Sequence, residues 1–117
     1  MIKMKKEKPK ESWEVTVRKE VYGKAPEEYS FKVSSGEKLR DLKDLLAAVQ
    51  KMPEEAFRHH VNEMRNDFSA WVKDVFREED LAKELKKVHS RMETELALYK
   101  HFNTRLERLM KKLVQKE

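Results

Sequence analysis

The feature that most constrains the fold is the stretch from Glu79 to Lys116, which contains no glycine and no proline. Its apolar side chains recur with a seven-residue period, which is typical of a coiled coil or of a long helix packed on a partner. The a positions of this repeat are Leu85, Met92, Tyr99, Leu106 and Leu113, and the d positions are Val88, Glu95, Phe102 and Leu109. One continuous helix would be roughly 55 Å long, which is more than a small globular body can cover.

We therefore expect the helix over residues 81–117 to extend beyond the body of the protein and to bind another chain. The favoured partner is a second copy, which would make the protein a homodimer. The predicted oligomerisation seam consists of Tyr99, Phe102, Leu106, Leu109 and Leu113. In an alternative interpretation the helix breaks near residues 101–104, where Asn103 and Thr104 are cap-like, and folds back as a hairpin.

The preceding part of the chain, residues 12–80, is predicted to be a compact α+β domain. Trp13–Val17 and Tyr29–Val33 both alternate apolar with polar residues, as half-buried strands do. Turn chemistry at Gly23 and Pro26 then predicts an antiparallel hairpin.

Three shorter helices are predicted to pack on this hairpin, over residues 37–52, 53–64 and 67–76. Ser35 is the expected N-cap of the first, Pro53 separates the first two, and Asn66 or Asp67 caps the third. The expected fold class is thus α+β and mostly helical: an N-terminal two-stranded hairpin packed by three shorter helices, then one long C-terminal helix. The predicted core consists of Val15, Val17, Phe31, Leu42, Leu45, Leu46, Val49, Phe57, Phe68, Trp71, Val72 and Val75.

The net charge of +5 is concentrated at the two ends of the chain. Residues 1–36 carry nine basic and six acidic side chains, and residues 98–117 carry six basic and two acidic ones. Such asymmetry favours an anionic partner, since lysine and arginine clusters bind phosphates without reading sequence. The predicted anion-binding residues are Lys3, Lys5, Lys6, Lys8 and Lys10 in a flexible basic tail over residues 1–11, and Arg105, Arg108, Lys111 and Lys112.

Several functional classes are disfavoured by what the chain lacks. Without cysteine there can be no disulfide, thiolate chemistry or cysteine zinc site. No apolar run is long enough for a membrane span and no leader pattern is present, so we expect a cytoplasmic protein. Abundant Lys and Glu with only Gln50 and Gln115 as glutamines is typical of thermophilic, including archaeal, proteins.

Catalytic chemistry would have to be built on His60, Asp67 and Asp74, with Glu63 as a further metal ligand. Their spacing matches no strong motif, and no nucleophile with its base can be assembled. We expect instead that His60 is a core residue that donates a hydrogen bond to a carbonyl or to Asp67. Trp71 is likewise expected in the core rather than on a base-stacking surface. No enzymatic activity, cofactor, metal or small-molecule substrate is predicted.

A family resemblance rests on three segments: the strand at Tyr29-Ser30-Phe31, the helix with His60-Val61, and Asn66-Asp67-Phe68-Ser69-Ala70-Trp71. This order resembles an uncharacterised domain of unknown function in archaea and bacteria, over about residues 29–87. The resemblance implies no activity. It leaves out the basic tail and the last helix, which we expect to carry this protein's own role.

The expected function is that of a non-enzymatic interaction module. It self-associates through its C-terminal helix and binds RNA or a ribosome or other ribonucleoprotein through its basic termini. An alternative is a protein-only adaptor or regulatory subunit that pairs the same helix with a different protein. A small metal-dependent enzyme is the remote alternative.

Overall fold

The computed structural model describes residues 12–115, which form six helices and one small hairpin. The elements in chain order are α1 (Trp13–Val17), β1 (Phe31–Lys32), β2 (Lys38–Leu39), α2 (Leu42–Lys51), α3 (Glu54–His60), α4 (Asp67–Trp71), α5 (Glu79–Lys87) and α6 (Arg91–Gln115). Helix α1 continues into a π-helical turn at Arg18–Tyr22, α4 continues into another at Val72–Phe76, and a 3-10 turn covers Glu27–Tyr29. The predicted α+β, mostly helical class with a long last helix is confirmed.

The first predicted strand is in fact a helix. Trp13–Val17 forms α1, because the Ser12 hydroxyl accepts a hydrogen bond from the Val15 amide at 3.2 Å and caps it. The helical path continues through residues 18–22, where Val21 is buried and Val17, four residues earlier, packs against the core. The prediction of a strand was wrong because five alternating residues are too short a window to exclude this helical spacing.

The hairpin is formed by β1 and β2, which the sequence interpretation did not pair. Phe31 lies opposite Leu39 and Lys32 opposite Lys38 in an antiparallel register. The turn between the strands uses Gly36 at φ 103°, a conformation that favours glycine. Ser35 is therefore a turn residue and not a helix cap; Asp41 caps α2 by accepting from the Asp44 amide at 2.7 Å.

The starts of α3 and α4 agree with the sequence signals, but α3 ends at His60 and not at residue 64 as predicted, because Val61 is extended. Helix α2 ends before Met52, and Pro53 stands directly before the first residue of α3. Asn66 caps α4, its side-chain oxygen accepting from the Ser69 amide at 3.0 Å. The Asn66 side-chain amide also donates to the Leu85 carbonyl oxygen at 2.8 Å, so one residue joins the start of α4 to the end of α5.

The long predicted helix is interrupted between Lys87 and Arg91, so the prediction of one uninterrupted helix from residue 81 was wrong. Val88 is extended, and the Ser90 hydroxyl accepts from the Glu93 amide at 3.1 Å, which starts α6. This Ser-x-x-Glu sequence is a helix-start signal that the heptad interpretation overlooked. The alternative break near residues 101–104 does not occur, since α6 is continuous there.

One hydrophobic core joins the described elements. Seven predicted core residues are buried: Leu42, Leu45, Val49, Phe57, Phe68, Trp71 and Val72. Four more are partly buried against them: Val17, Phe31, Leu46 and Val75. Val15 is not part of this cluster. Leu81, Leu85 and Leu98 belong to the same core, so it includes residues on both sides of the predicted boundary at residue 80.

Candidate interaction surface on the C-terminal helix

The start of α6 is fixed to the body by Arg91. Its guanidinium donates to the Val49 carbonyl oxygen at the end of α2 and forms an ion pair with Glu54 at 3.3 Å. The same group lies over the Phe57 ring, 5.6 Å from the centroid. These contacts hold the first turn of α6 against α2 and α3.

The inner face of α6 packs against α2, α5 and the 18–22 turn. Its buried side chains are Thr94, Ala97, Leu98, Phe102 and Leu109. Tyr22 meets Phe102 edge to face, with ring centroids 4.9 Å apart, and Lys112 pairs with Glu20 at 3.4 Å. The helix that follows Ser12 thus covers the C-terminal half of α6.

The outer face of α6 carries a row of large apolar side chains exposed to solvent. Their exposed fractions range from 41% for Leu106 to 78% for Met92. We call this row, with the exposed Asn103 in its middle, the outer stripe: Met92, Leu96, Tyr99, Asn103, Leu106, Met110 and Val114. Soluble proteins rarely expose so continuous an apolar surface unless another molecule covers it.

The predicted oligomerisation seam overlaps this stripe only in part. Tyr99 and Leu106 lie on it, whereas Phe102 and Leu109 are buried in the protein's own core and Leu113 is partly buried against that core. Phe102 and Leu109 are therefore not available to a second chain in this structure. The exposed residues that the prediction missed are Met92, Leu96, Met110 and Val114.

A shallow apolar groove of about 300 Å³ lies beside the middle of the outer stripe. Its walls come from α6, α2 and the 17–22 segment, and they include Val17, Leu46 and Leu106. The Tyr99 hydroxyl accepts from the Gln50 side chain at 3.0 Å, which holds its ring at the groove edge. The apolar surface thus extends from the outer stripe toward α2.

The predicted basic cluster on α6 is partly neutralised. Arg105 forms an ion pair with Glu78, and Lys112 pairs with Glu20. Arg108 and Lys111 are exposed, and no carboxylate among residues 12–115 pairs with either of them. The predicted Lys3, Lys5, Lys6, Lys8 and Lys10 lie outside the described residues.

Arg108 and Lys111, which pair with no carboxylate in the part of the chain that the structure describes, share a face with Lys100. Successive steps of three or four residues along α6 lead from Lys100 through the exposed Thr104 to Arg108 and Lys111, so these side chains lie on one face of the helix. The neighbouring cavity between α5 and α6, of about 230 Å³, has Asp80 and Glu84 on its opposite wall. Lys100 and Arg108 also line this cavity, so acidic side chains border the basic face of α6 on one side, while Lys100 stands beside the outer stripe on the other.

His101 lines the same α5–α6 cavity and is unusual for a half-buried histidine. Within residues 12–115, its Nε2 atom is buried and has no hydrogen-bond partner. Burial lowers the pKa of His101; the nearby Glu78 charge raises it, and the charges of Arg105 and Arg108 lower it further. The neutral imidazole is thus the favoured form at neutral pH.

His60 has the structural role that the sequence favoured. It is buried, its Nδ1 atom lies 3.0 Å from an Asp67 carboxylate oxygen, and its Nε2 accepts from the Ser34 amide at 3.2 Å. This pattern assigns the Nδ1-protonated tautomer, which donates to Asp67. Both ring nitrogens are occupied, so neither offers a lone pair to a metal.

The other candidate chemical groups are also accounted for. Asp67 is shared between His60 and Arg65, the latter at 3.5 Å, while Asp74 is exposed on the turn after α4. Trp71 is buried and donates its Nε1–H to the Tyr29 carbonyl oxygen at 2.7 Å, as expected of a core residue. No grouping of three or more metal-ligating side chains occurs within residues 12–115.

Comparison with known proteins identifies a family and no function. No helix in the described part of the chain is long and apolar enough to cross a bilayer. Neither a curated protein nor a solved structure matches the chain. A family of unknown function, DUF5752, matches residues 24–113. This match confirms the uncharacterised-family resemblance, and it corrects its extent, since most of α6 lies within the family region. The chain belongs to the family of unknown function DUF5752.

Proposed function

We propose that this protein is a non-enzymatic cytoplasmic interaction module. It associates with a second copy through the outer stripe of α6 and binds an anionic partner, RNA or a ribonucleoprotein such as the ribosome, through its basic termini. The single observation that carries the proposal is the row of exposed apolar side chains along α6.

The size of the outer stripe suggests a moderate affinity. Its six apolar side chains are roughly half exposed, so covering each is worth roughly 1 kcal/mol. Two copies together would gain roughly 12 kcal/mol, against an association cost of about 4–15 kcal/mol. We therefore expect a concentration-dependent dimer of folded monomers rather than an obligate one.

Light scattering on the purified chain tests self-association. The wild type should be a dimer, and the double variant L96E/M110E should be a folded monomer, because both charges fall on the outer stripe. T104E/Q115E is the matched control: it adds the same two charges to exposed positions of α6 outside the stripe. A monomeric wild type would reject the homodimer and leave a heterologous protein as the occupant of the stripe.

Binding of the anionic partner is supported by the unpaired basic face of α6. Arg108 and Lys111 have no carboxylate partner among the described residues, and Lys100 lies on the same face. Such side chains bind phosphates by releasing counterions, so the affinity should fall steeply with salt.

An RNA titration at graded salt tests this second part. With a mixed-sequence single-stranded RNA as the probe, R108Q/K111Q should weaken binding and reduce the salt slope by about 1–2. K83Q/K86Q removes two exposed lysines from α5 and should change binding less. Equal losses in both variants would mean that the protein's general positive charge, and not this face, binds RNA.

A further inference from the structure

The outer stripe has the spacing of a coiled-coil seam. Residues 92, 96, 99, 103, 106 and 110 alternate steps of four and three, which keeps one row facing a partner helix in a left-handed supercoil. Leu96, Asn103 and Met110 then occupy equivalent a positions, and Met92, Tyr99 and Leu106 occupy d positions. This register differs from the one predicted from sequence, because the core of the protein itself uses Phe102 and Leu109.

Asn103 is the one polar side chain within this row. It is exposed, and no side-chain hydrogen bond to its amide is formed within residues 12–115. Covered by apolar side chains, such an amide would lose its hydrogen bonds to water at a cost of about 1–3 kcal/mol. A single Asn at an a position is known to fix the register of paired helices, since the two amides can bond to each other.

The direction of pairing decides whether Asn103 is satisfied. In a parallel pair in register, a positions face each other, so each Asn103 meets its own equivalent. In an antiparallel pair, a positions face d positions, and Asn103 would lie against Tyr99 or Leu106 of the second copy. Only the parallel arrangement lets both amides bond to each other.

The charges beside the stripe are compatible with the same arrangement. Glu95 and Lys100 lie on opposite flanks, five residues apart, and a parallel pair places each Glu95 beside Lys100 of the second copy. The twofold symmetry of the pair means that this Glu95–Lys100 contact occurs twice. An antiparallel pair could instead place Lys100 beside Glu107, so Asn103, rather than charge, selects the direction.

We propose that two copies of this chain pair parallel and in register along the outer stripe, with their Asn103 amides bonded across the twofold axis. This proposal rests on the self-association proposed above. Its consequence is that Arg108 and Lys111 of both copies lie near the same end of the pair. The dimer then presents a doubled basic surface to an anionic partner, whereas an antiparallel pair would place the two surfaces at opposite ends.

Disulfide trapping tests the direction directly, because the natural chain contains no cysteine. Under mild oxidation, L96C alone should form a disulfide-linked dimer, since equivalent a positions lie close enough for a disulfide in a parallel pair. Mixing L96C with L106C, or Y99C with M110C, combines an a position with the d position that it would face in an antiparallel pair, and should give no mixed disulfide between the two variants. T104C, on the other face of α6, is the control and should not be trapped.

The outcomes separate this proposal from the one on which it rests. A wild type that is monomeric by light scattering overturns self-association and the parallel pair together. A dimer in which L96C forms disulfides only with L106C, or Y99C only with M110C, keeps self-association and overturns the parallel direction. A dimer in which none of these cysteines is trapped overturns the outer stripe as its seam.

Discussion

The Tyr22 ring meets the Phe102 ring edge to face at 4.9 Å, and this contact joins the helix that follows Ser12 to the middle of α6. Phe102 is buried, so F102A should lower the free energy of unfolding by about 3–5 kcal/mol. Y99A, one turn earlier and half exposed, should cost less than about 1.5 kcal/mol while weakening self-association. Urea unfolding of both variants checks this contrast; equal losses would contradict the division of α6 into inner and outer faces.

Asn66 should stabilise the fold through both the oxygen and the nitrogen of its side-chain amide. N66A removes the cap of α4 and the bond to the Leu85 carbonyl, so it should cost about 1.5–3 kcal/mol. N66S keeps a capping oxygen and lacks the amide donor to the Leu85 carbonyl, so its stability should fall between those of N66A and the wild type. Urea unfolding measures all three proteins. A loss in N66S as large as in N66A would show that the bond to α5 carries the whole effect.

The C-terminal helices show which structural features could be predicted from the sequence and which could not. Absence of glycine and proline predicted helix throughout residues 79–116, and the structure is helical over the described residues 79–115 except at residues 88–90. The break at residues 88–90 was missed because the heptad was given more weight than the Ser90-x-x-Glu93 capping sequence. This capping sequence starts a new helix even though no glycine or proline precedes it. The predicted seam combined residues from the inner and the outer face of α6. A sequence repeat alone does not show which of its apolar residues are buried in the protein's own core and which are left exposed.

The N-terminal third shows a different limit. Trp13–Val17 alternates like a strand, yet the Ser12 cap and the packing of Val21 on the core make it helical. The true partner strands, Phe31–Lys32 and Lys38–Leu39, contain two residues each, which is too short for any alternation to be recognised. By contrast, the contact of His60 with Asp67 and the cap formed by Asn66 were interpreted correctly, because both partners are close in sequence, whereas the bonds to Ser34 and Leu85 are distant and were not foreseen.

The His60 contacts predict that metal has no part in stability. Its two ring nitrogens are taken by Asp67 and by the Ser34 amide, so EDTA should leave the Tm unchanged. H60L should lower the free energy of unfolding by about 1–3 kcal/mol, since both partners lose their hydrogen bond. H89L, at an exposed histidine, is the control and should change little. A fall in Tm on chelation would refute this structural role and revive a metal site.

His101 should make stability depend on pH in a defined direction. Burial lowers its pKa in the folded state, so the unfolded chain binds the proton more readily as the pH drops through about 6.5. The wild type should therefore lose stability between pH 7.5 and pH 5 relative to H101Q, which cannot titrate in this range. Urea midpoints at the two pH values measure the difference. H89Q should follow the wild type, and an equal loss in H101Q would assign the pH dependence to other groups.

Self-association through the outer stripe should also appear in thermal unfolding. Because a dimer is stabilised by mass action, the wild-type Tm should rise by about 2–4 °C for each tenfold increase in protein concentration. L96E/M110E should lose this dependence, since two carboxylates on the stripe would have to be buried unpaired in the dimer. T104E/Q115E should keep it, because both positions are exposed outside the stripe. A wild-type Tm that stays constant across a hundredfold range of concentration would show that the stripe is not covered by a second copy.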